Sequence, residues 1–363
     1  MVSQQKQLKI LIVRLGAMGD VLHAMPAVAA LRRALPQCFL GWVIEPRWEP
    51  LLRADSSSTA RTAAMPLVDA VHTAHARGWA RAPLAPPTWR AVRALRRQLR
   101  QQQYDLVIDL QGAIRSAWIG RMAGARLVGE SDPRELPSKL LFDQRVATQG
   151  VHVIEQATEV VAAAVGVSPG VTIDAPVQPP LPINANAEIW CNAALSANDK
   201  PLVLIHPGAG WGAKRWPAQR YGAVARQLQQ QNATVLINAG PGEENMAQEV
   251  VQASGGCARA LAMTLEQLIA VTRRATLVIG GDTGPLHLAG ALGKPVVAIF
   301  GPTDPARNGP YALPAEVPSV VLRHPSSKRD HSRRREPESG LLSITEDEVT
   351  CAALALLQQA ETA

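Results

Sequence analysis

Aspartate, lysine and histidine recur beside glycines at a few places in this chain, each just after a short apolar run. The stretch GGDTGPLH (280–287) is the most distinctive of these. Gly280 and Gly281 end an apolar run. Thr283 and Gly284 then offer free backbone N–H groups at a helix start, where the positive end of the helix dipole attracts a phosphate. His287 falls one turn further on. The plainer alternative makes Asp282 or Thr283 an ordinary N-cap and His287 a satisfied surface histidine. In HPGAGWGAKRWP (206–217), the segment Gly208, Ala209, Gly210 precedes Lys214 and Arg215. The glycines let backbone approach a ligand, and the two cations can neutralise a diphosphate whose charge grows as it leaves. A turn with solvated cations before a helix opened by Pro217 is the competing reading. In AGPGEE (239–244), Glu243 could accept hydrogen bonds from ribose hydroxyls, or serve only the first turn of its own helix.

A fourth chemistry-bearing stretch is GAMGDVLHAMPA (16–27), which follows the apolar run LKILIVRL. As an N-cap, Asp20 would satisfy the backbone donors of a helix starting at Val21. Alternatively its carboxylate removes a proton from an attacking hydroxyl, useful once that hydroxyl turns acidic in the transition state. Position alone leaves both open. Gln111 and Gly112 end a later apolar run in the same manner.

Strands must place these residues. Runs LKILIV, FLGWVIE, VDAVHTA, DLVIDLQG and ARLVG alternate with helical patterns at 21–35, 89–103 and about 114–123, and a helix near 152–165 closes the first half. The second half repeats the scheme with PLVLIHPG, ATVLINAG, ARALA, TLVIGGD and PVVAIFG. Its helices include one opened by the capping box Thr264/Gln267 and a last one at about 346–360 opened by Thr345/Glu348. Strands alternating with helices imply parallel sheets covered on both faces, so the fold class is α/β with two Rossmann-like domains. Ligands of such sheets bind beyond the carboxyl ends of the strands, where every stretch above falls. The proline-rich segment 171–185 reads as a linker between domains 1–170 and 186–345, and the helix at 346–363 could cross back to the first domain.

Composition narrows the partners. The 363 residues are 47% hydrophobic and 18% charged, with no apolar run long enough to span a bilayer and no secretory leader at the N-terminus, so a soluble cytoplasmic protein is expected. Cys38, Cys191, Cys257 and Cys351 lack metal or redox spacing. The net charge of +7 favours anionic partners, while 4% aromatics, not interleaved with the basic clusters, disfavour nucleic acid. No G-x-G-x-x-G or Walker pattern is present, which lowers NAD binding and P-loop hydrolysis. Arginines 77, 81, 90, 93, 96, 97 and 100 surround a helix with the apolar stripe Trp89, Val92, Leu95 and Leu99. That helix is either a solvated face over core or a surface that rests on anionic lipid. The basic run 323–336 reads as a mobile loop, with a role on an acidic acceptor open.

Taken together, ILIVRLGAMGDVLHAMPA, IDLQGAIRSA, HPGAGWGAKRWP and GDTGPLHLAGALGKPVVAIFGPTDP resemble the ADP-heptose:lipopolysaccharide heptosyltransferases of glycosyltransferase family 9, most of all the type I enzymes. The resemblance implies a GT-B architecture, two Rossmann-like domains facing each other across a cleft that holds the active site. It further implies inverting transfer of L-glycero-D-manno-heptose from ADP-heptose to Kdo of Kdo2-lipid A, in lipopolysaccharide inner-core synthesis. By the same resemblance Asp20 is the general base and Lys214 the diphosphate neutraliser. Glu243 meets the adenosine ribose and Met263 the nucleotide, while Asp282, Thr283, Gly284 and His287 hold the donor's phosphates and sugar. Gly16 and Gly19 clear space for the acceptor beside Gln111 and Gly112, with Arg134 and Arg145 near its carboxylates. No cofactor or metal is implied, and the expected setting is a monomer, peripheral on the cytoplasmic face of the inner membrane. The family's usual Ser/Thr pair near the diphosphate is replaced here by Gly208, Ala209 and Gly210, so backbone N–H groups or water must serve instead. The stretch 323–340 departs from the family pattern. Transfer to another acceptor, a core heptose or a protein, is the nearest alternative, and a non-catalytic nucleotide-binding module the more distant one.

Overall fold

Continuous runs such as Ile10–Val13, all fully buried, are what a strand covered on both faces requires. In the computed structural model, which describes residues 7–58, 60–166, 171–195, 200–313, 317–330, 332 and 334–362, such runs form the centres of two parallel sheets. The chain divides into two compact units between Ile183 and Asn184.

The first unit runs β1 (Lys9–Val13), α1 (Met18–Ala34), β2 (Phe39–Ile44), β3 (Ala70–Thr73), α2 (Ala76–Arg81), α3 (Pro86–Gln102), β4 (Leu106–Asp109), α4 (Ile114–Ala123), β5 (Arg126–Glu130), β6 (Gln144–Val146) and α5 (Val153–Val165). Its strands lie in the order β3-β2-β1-β4-β5-β6. The second unit contains α6 (Ala185–Ala194), β7 (Leu202–His206), α7 (Ala218–Gln230), β8 (Thr234–Ala239), α8 (Glu244–Ala253), β9 (Arg259–Ala262), α9 (Leu265–Arg274), β10 (Leu277–Gly281), α10 (Gly284–Ala291), β11 (Val296–Phe300), α11 (Pro305–Asn308), β12 (Ser319–Arg323), α12 (Ser339–Leu342) and α13 (Glu346–Thr362). Its order is β12-β11-β10-β7-β8-β9, the same pattern.

Edges and ends depart from the sequence expectations. β6 has three residues with a polar, exposed middle, and β12, although it carries Val320, Val321 and Leu322, has no fully buried position; neither was expected as a strand. Helix α1 begins at Met18 and not at Val21, because Ala17 takes the N-cap position. Both capping boxes form: Gln267 N–H donates to Thr264 Oγ1 at 3.3 Å, and Glu348 N–H donates to Thr345 Oγ1 at 3.2 Å. The terminal helix α13, for which a crossing to the first domain was open, supplies Val349, Ala353, Leu356 and Leu357 to the second unit's core. Trp216 Nε1 and Arg220 Nη1 both donate to the Ile344 carbonyl just before it. In the proline-rich stretch, Val177 N–H bonds Pro26 O and Ile183 N–H bonds Ala63 O, so its backbone is tied to the first unit. Residues 167–170, just before that stretch, lie outside the described residues.

One close approach tests the first core. A Cβ at Gly41 would stand 1.9 Å from Tyr104 Oη, whose hydroxyl makes a 2.8 Å hydrogen bond with His72 Nε2. Gly41→Ala is therefore expected to destabilise the protein by about 1–3 kcal/mol through overpacking, and by less in a Tyr104→Phe background, measured by urea unfolding.

Candidate active site

In each sheet the strand order reverses between two neighbours, β1/β4 in the first unit and β7/β10 in the second. Loops leaving such a pair diverge and open a crevice at the carboxyl ends. The β7/β10 crevice collects three of the expected residues. Lys214 Nζ forms an ion pair with Asp282 Oδ2, and His287 Nε2 lies 3.0 Å from Asp282 Oδ1. Lys214 also stands over the Trp211 ring, 4.4 Å from its centroid. The side chains of Lys214 and Asp282 are only 12% and 8% exposed. Burial by itself raises the Asp282 carboxyl, but the hydrogen bonds and charges of His287 and Lys214 outweigh it and hold the group well below the usual carboxylate range. His287 is thus buried and paired, not a surface histidine. Thr283 is the N-cap of α10, but its Oγ1 donates to Gly281 O at 3.2 Å and caps no helical N–H. The first turn of α10, beginning at Gly284, keeps its donors free of any side-chain cap.

Several glycines serve neighbours inside the protein. A Cβ at Gly208 would meet the Glu243 carboxyl at 2.1 Å, and one at Gly240 would meet Glu243 Oε2 at 2.6 Å. The Glu243 carboxylate therefore rests in the space those glycines leave, and burial raises its pKa against the opposing effects of the Gly240 hydrogen bond and Arg215. Gly212 is closed by residue 335: a Cβ there would lie 1.6 Å from Arg335 O, while Ala213 N–H donates to Arg334 O and Glu338 N–H to Ala213 O. The basic run expected to be a mobile loop is, over 334–338, bonded to the lysine loop; His331 and Arg333 lie outside the described residues. Ala209 is buried, Arg215 is exposed, and Gly210 has open space where a Cβ would be. Met263, half-buried, follows β9 at the same carboxyl edge, separated from β7 by β8.

At the β1/β4 crevice of the first unit, Asp20 is the third residue of α1. Its Oδ2 accepts from Ala17 N–H at 3.0 Å and its Oδ1 pairs with Arg14 Nη2 at 3.2 Å, with the side chain still 36% exposed. It is a capping carboxylate, though not the N-cap residue, and its oxygens are not locked in core. Gln111 Oε1 accepts from Leu15 N–H at 2.7 Å, tying the two loops together. Gly112, at φ +64°, leaves room for the turn at Pro133 and Arg134. Arg134 is exposed and makes no ion pair among the described residues, whereas Arg145 donates to Lys139 O from β6, away from Gln111. The clearance at Gly16, at φ +150°, is not vacant: Trp48 fills it, its Nε1 lying 2.5 Å from where a Cβ would be. Gly19 is half-buried in the first turn of α1. Among the described residues no three His, Cys, Asp or Glu side chains converge as a metal site needs.

The family model for glycosyltransferase family 9 (heptosyltransferase) matches residues 92–337. The chain belongs to that family. Among curated relatives, this glycosyltransferase is 29% identical over 310 residues to lipopolysaccharide heptosyltransferase 1 of Salmonella typhimurium, covering 84% of this chain and 92% of the relative. It is 27% identical over 321 residues to the Pseudomonas aeruginosa protein of the same name, covering 84% and 81%. Lipopolysaccharide heptosyltransferase 2 of Escherichia coli is 24% identical across 98% of this chain and 100% of the relative. The solved structure of E. coli heptosyltransferase WaaC with ADP-2-deoxy-2-fluoro heptose superposes with a TM-score of 0.72 at 25% identity, covering 96% and 99%. The family 9 glycosyltransferase of Veillonella parvula gives 0.79 at 21% identity, covering 98% and 99%. The paired Rossmann-like sheets are thus those of a GT-B glycosyltransferase.

Three residues of the enzyme's crevices escaped sequence reasoning. Arg14 bonds the Leu110 carbonyl, the Asp20 carbonyl and the Asp20 carboxylate, and its only signal was a lone cation inside an apolar run. Asp109 ends β4 fully buried and accepts from Gln111 N–H, Gly112 N–H and Ser116 Oγ; burial nevertheless pushes its pKa up to about 6. Trp211, lying over Lys214, carried no signal in the sequence beyond its place in a glycine-rich loop.

Because its folded pKa is depressed, Asp282 contributes stability at every pH above the unfolded value near 4, and loses it as acid protonates the folded carboxyl. Asp282→Asn leaves Lys214 without its counter-charge and should cost about 3–5 kcal/mol at neutral pH. The gap from the parent should narrow below about pH 4, read by urea unfolding across pH.

Proposed function

We propose that this glycosyltransferase is an inverting heptosyltransferase that moves L-glycero-D-manno-heptose from ADP-heptose to Kdo of Kdo2-lipid A. The observation that carries the reading is the Lys214 ammonium, fixed by Asp282 beside the uncapped first turn of α10. An ammonium and free backbone N–H groups at one crevice are what a departing diphosphate needs. Lys214 gives one N–H to Asp282 Oδ2 and a second, at 3.4 Å, to the Asp282 carbonyl, and its remaining N–H turns to the phosphates. Asp282 acts on the donor through Lys214 and His287, since a carboxylate laid directly against a diphosphate would repel it. Thr283 and Gly284 supply backbone donors, Arg215 adds an exposed cation, and Glu243 and Met263 face the nucleoside.

Asp20 takes the proton of the attacking hydroxyl as the anomeric centre inverts. Both its oxygens have partners, Ala17 N–H and Arg14, but its partial exposure lets the acceptor hydroxyl reach the carboxylate, which Arg14 keeps oriented. Gln111, Gly112 and Arg134 flank the acceptor; Gly16 acts indirectly, by seating Trp48. Arg145 is bonded to Lys139 and serves the acceptor only if that bond is exchanged. The motif resemblance to the type I enzymes favours Kdo as acceptor over a core heptose, and a lipid-linked acceptor puts the proposed reaction at the cytoplasmic face of the membrane that holds it. The enzyme acts as a monomer in this reading.

Incubation with ADP-heptose and either Kdo2-lipid A or its heptosylated product, followed by linkage analysis, tests the acceptor. Transfer onto the first alone supports the proposal, and transfer onto the second alone overturns it. Asp20→Ala should abolish measurable turnover with ADP affinity unchanged, while Lys214→Ala lowers kcat by on the order of 10²–10³.

A further inference from the structure

Residues 70–104 contain seven arginines and no lysine, aspartate or glutamate, a local charge equal to the +7 of the whole chain. The remainder of the sequence therefore balances to zero. This segment comprises α2 and α3, which with α4 enclose a groove of about 250 Å³ lined by Trp79, Pro83, Trp89, Val92, Trp118 and Arg115. Trp89 is 51% exposed, Trp118 48%, and neighbouring Leu84 84%. Arg90, Arg93, Arg96 and Arg97 are exposed along α3 and make no ion pair among the described residues. Arg77, by contrast, is 3.6 Å from Glu45, and Arg100 donates to the Met122 carbonyl.

We infer that this groove and its arginine rim form a docking surface for an anionic phospholipid bilayer. Two half-exposed tryptophans, Trp89 and Trp118, with the exposed Leu84 nearby in sequence, are costly to leave in water, and indole rings suit the boundary between headgroups and acyl chains. The arginines supply the complementary charge, each worth roughly a fivefold gain in partitioning near an anionic surface. An acidic protein or a nucleic acid would use the charge and leave the aliphatic part, Leu84, Pro83 and Val92, without a role. Phospholipid uses both. Buried Leu95 and Leu99 anchor α3 to the sheet, so the charged face is held outward by the fold itself.

Vesicles of phosphatidylcholine alone, and of phosphatidylcholine with phosphatidylglycerol, both free of glycolipid acceptor, test the surface by flotation of the full chain. The protein is expected to float with the anionic vesicles only. Arg93→Gln with Arg97→Gln should lower partitioning roughly thirtyfold, at about fivefold for each cation. Brominated acyl chains should quench tryptophan emission in the parent and less in Trp89→Ala. All three substituted side chains are exposed, so each variant should retain the parent's unfolding temperature. Equal flotation of parent and double variant, equal flotation with neutral vesicles, or RNA displacing the vesicles would overturn the inference. Vesicle binding needs no sugar donor or acceptor, so it stands or falls separately from the transfer reaction.

Discussion

A buried carboxylate held between an ammonium and an imidazole organises the second unit. Moving an isolated carboxylate out of water costs several kcal/mol even after relaxation, so Asp282 persists in its charged form only because Lys214 and His287 both reach it. That constraint joins three separate pieces of chain: the loop after β7, the end of β10 and the first turn of α10. The lysine loop is in turn bonded to residues 334 and 338, where Gly212 leaves no space for a side chain. The ammonium is thereby held in place by the protein alone, which in the proposed reaction leaves little reorganisation for the moment when diphosphate charge develops.

The first unit follows a different rule at the equivalent place. Asp20 is bonded to Ala17 N–H and Arg14 yet remains partly exposed, so its environment is only half protein. A general base must exchange a partner for the substrate's proton, and a wholly enclosed carboxylate would lack the freedom to do so. Asp109, fully buried a few residues before the same crevice, shows the opposite case. It accepts three hydrogen bonds, shapes the Gln111-Gly112 turn and is only 2% exposed. Two carboxylates at one switch point thus differ in exposure: Asp109 holds the frame, and Asp20, proposed as the base, stays partly open to solvent.

How much of this was legible in the sequence depends on how each residue signals. Central strands were readable because burial on both faces demands unbroken apolar runs, and the end of β10 followed from its glycines. β6 and β12 were not: β6 is three residues with an exposed arginine at its centre, and β12 is a short edge strand with no fully buried position. The start of α1 misled because Ala17, a poor capping residue, occupies the N-cap, and Asp20 reaches back from the third position to do its work. Glycines misled in another way. Gly208, Gly212 and Gly16 suggest backbone cleared for a ligand, but their space is taken by Glu243, Arg335 and Trp48, which lie far away in sequence. Composition reports that a side chain is missing; only the fold reports what stands there instead.

Charge in this protein is divided by depth as well as by sign. Lys214 and Asp282 are nearly enclosed, so their interaction is short-ranged and little affected by dissolved ions. The arginines of α3 lie in water, and their field falls away within roughly 8 Å at physiological ionic strength. With the rest of the chain summing to zero, residues 70–104 are a concentrated source of positive field, although the run 323–336 adds local cations of its own. A field of that kind can orient a molecule toward an anionic layer without altering the local electrostatics on which displacement of a diphosphate depends. Had the same seven cations been spread over both units, the protein would attract anions everywhere and be oriented by none of them. Concentrating them beside exposed tryptophans makes the charge directional, and that separates approach to a surface from the chemistry carried out afterward.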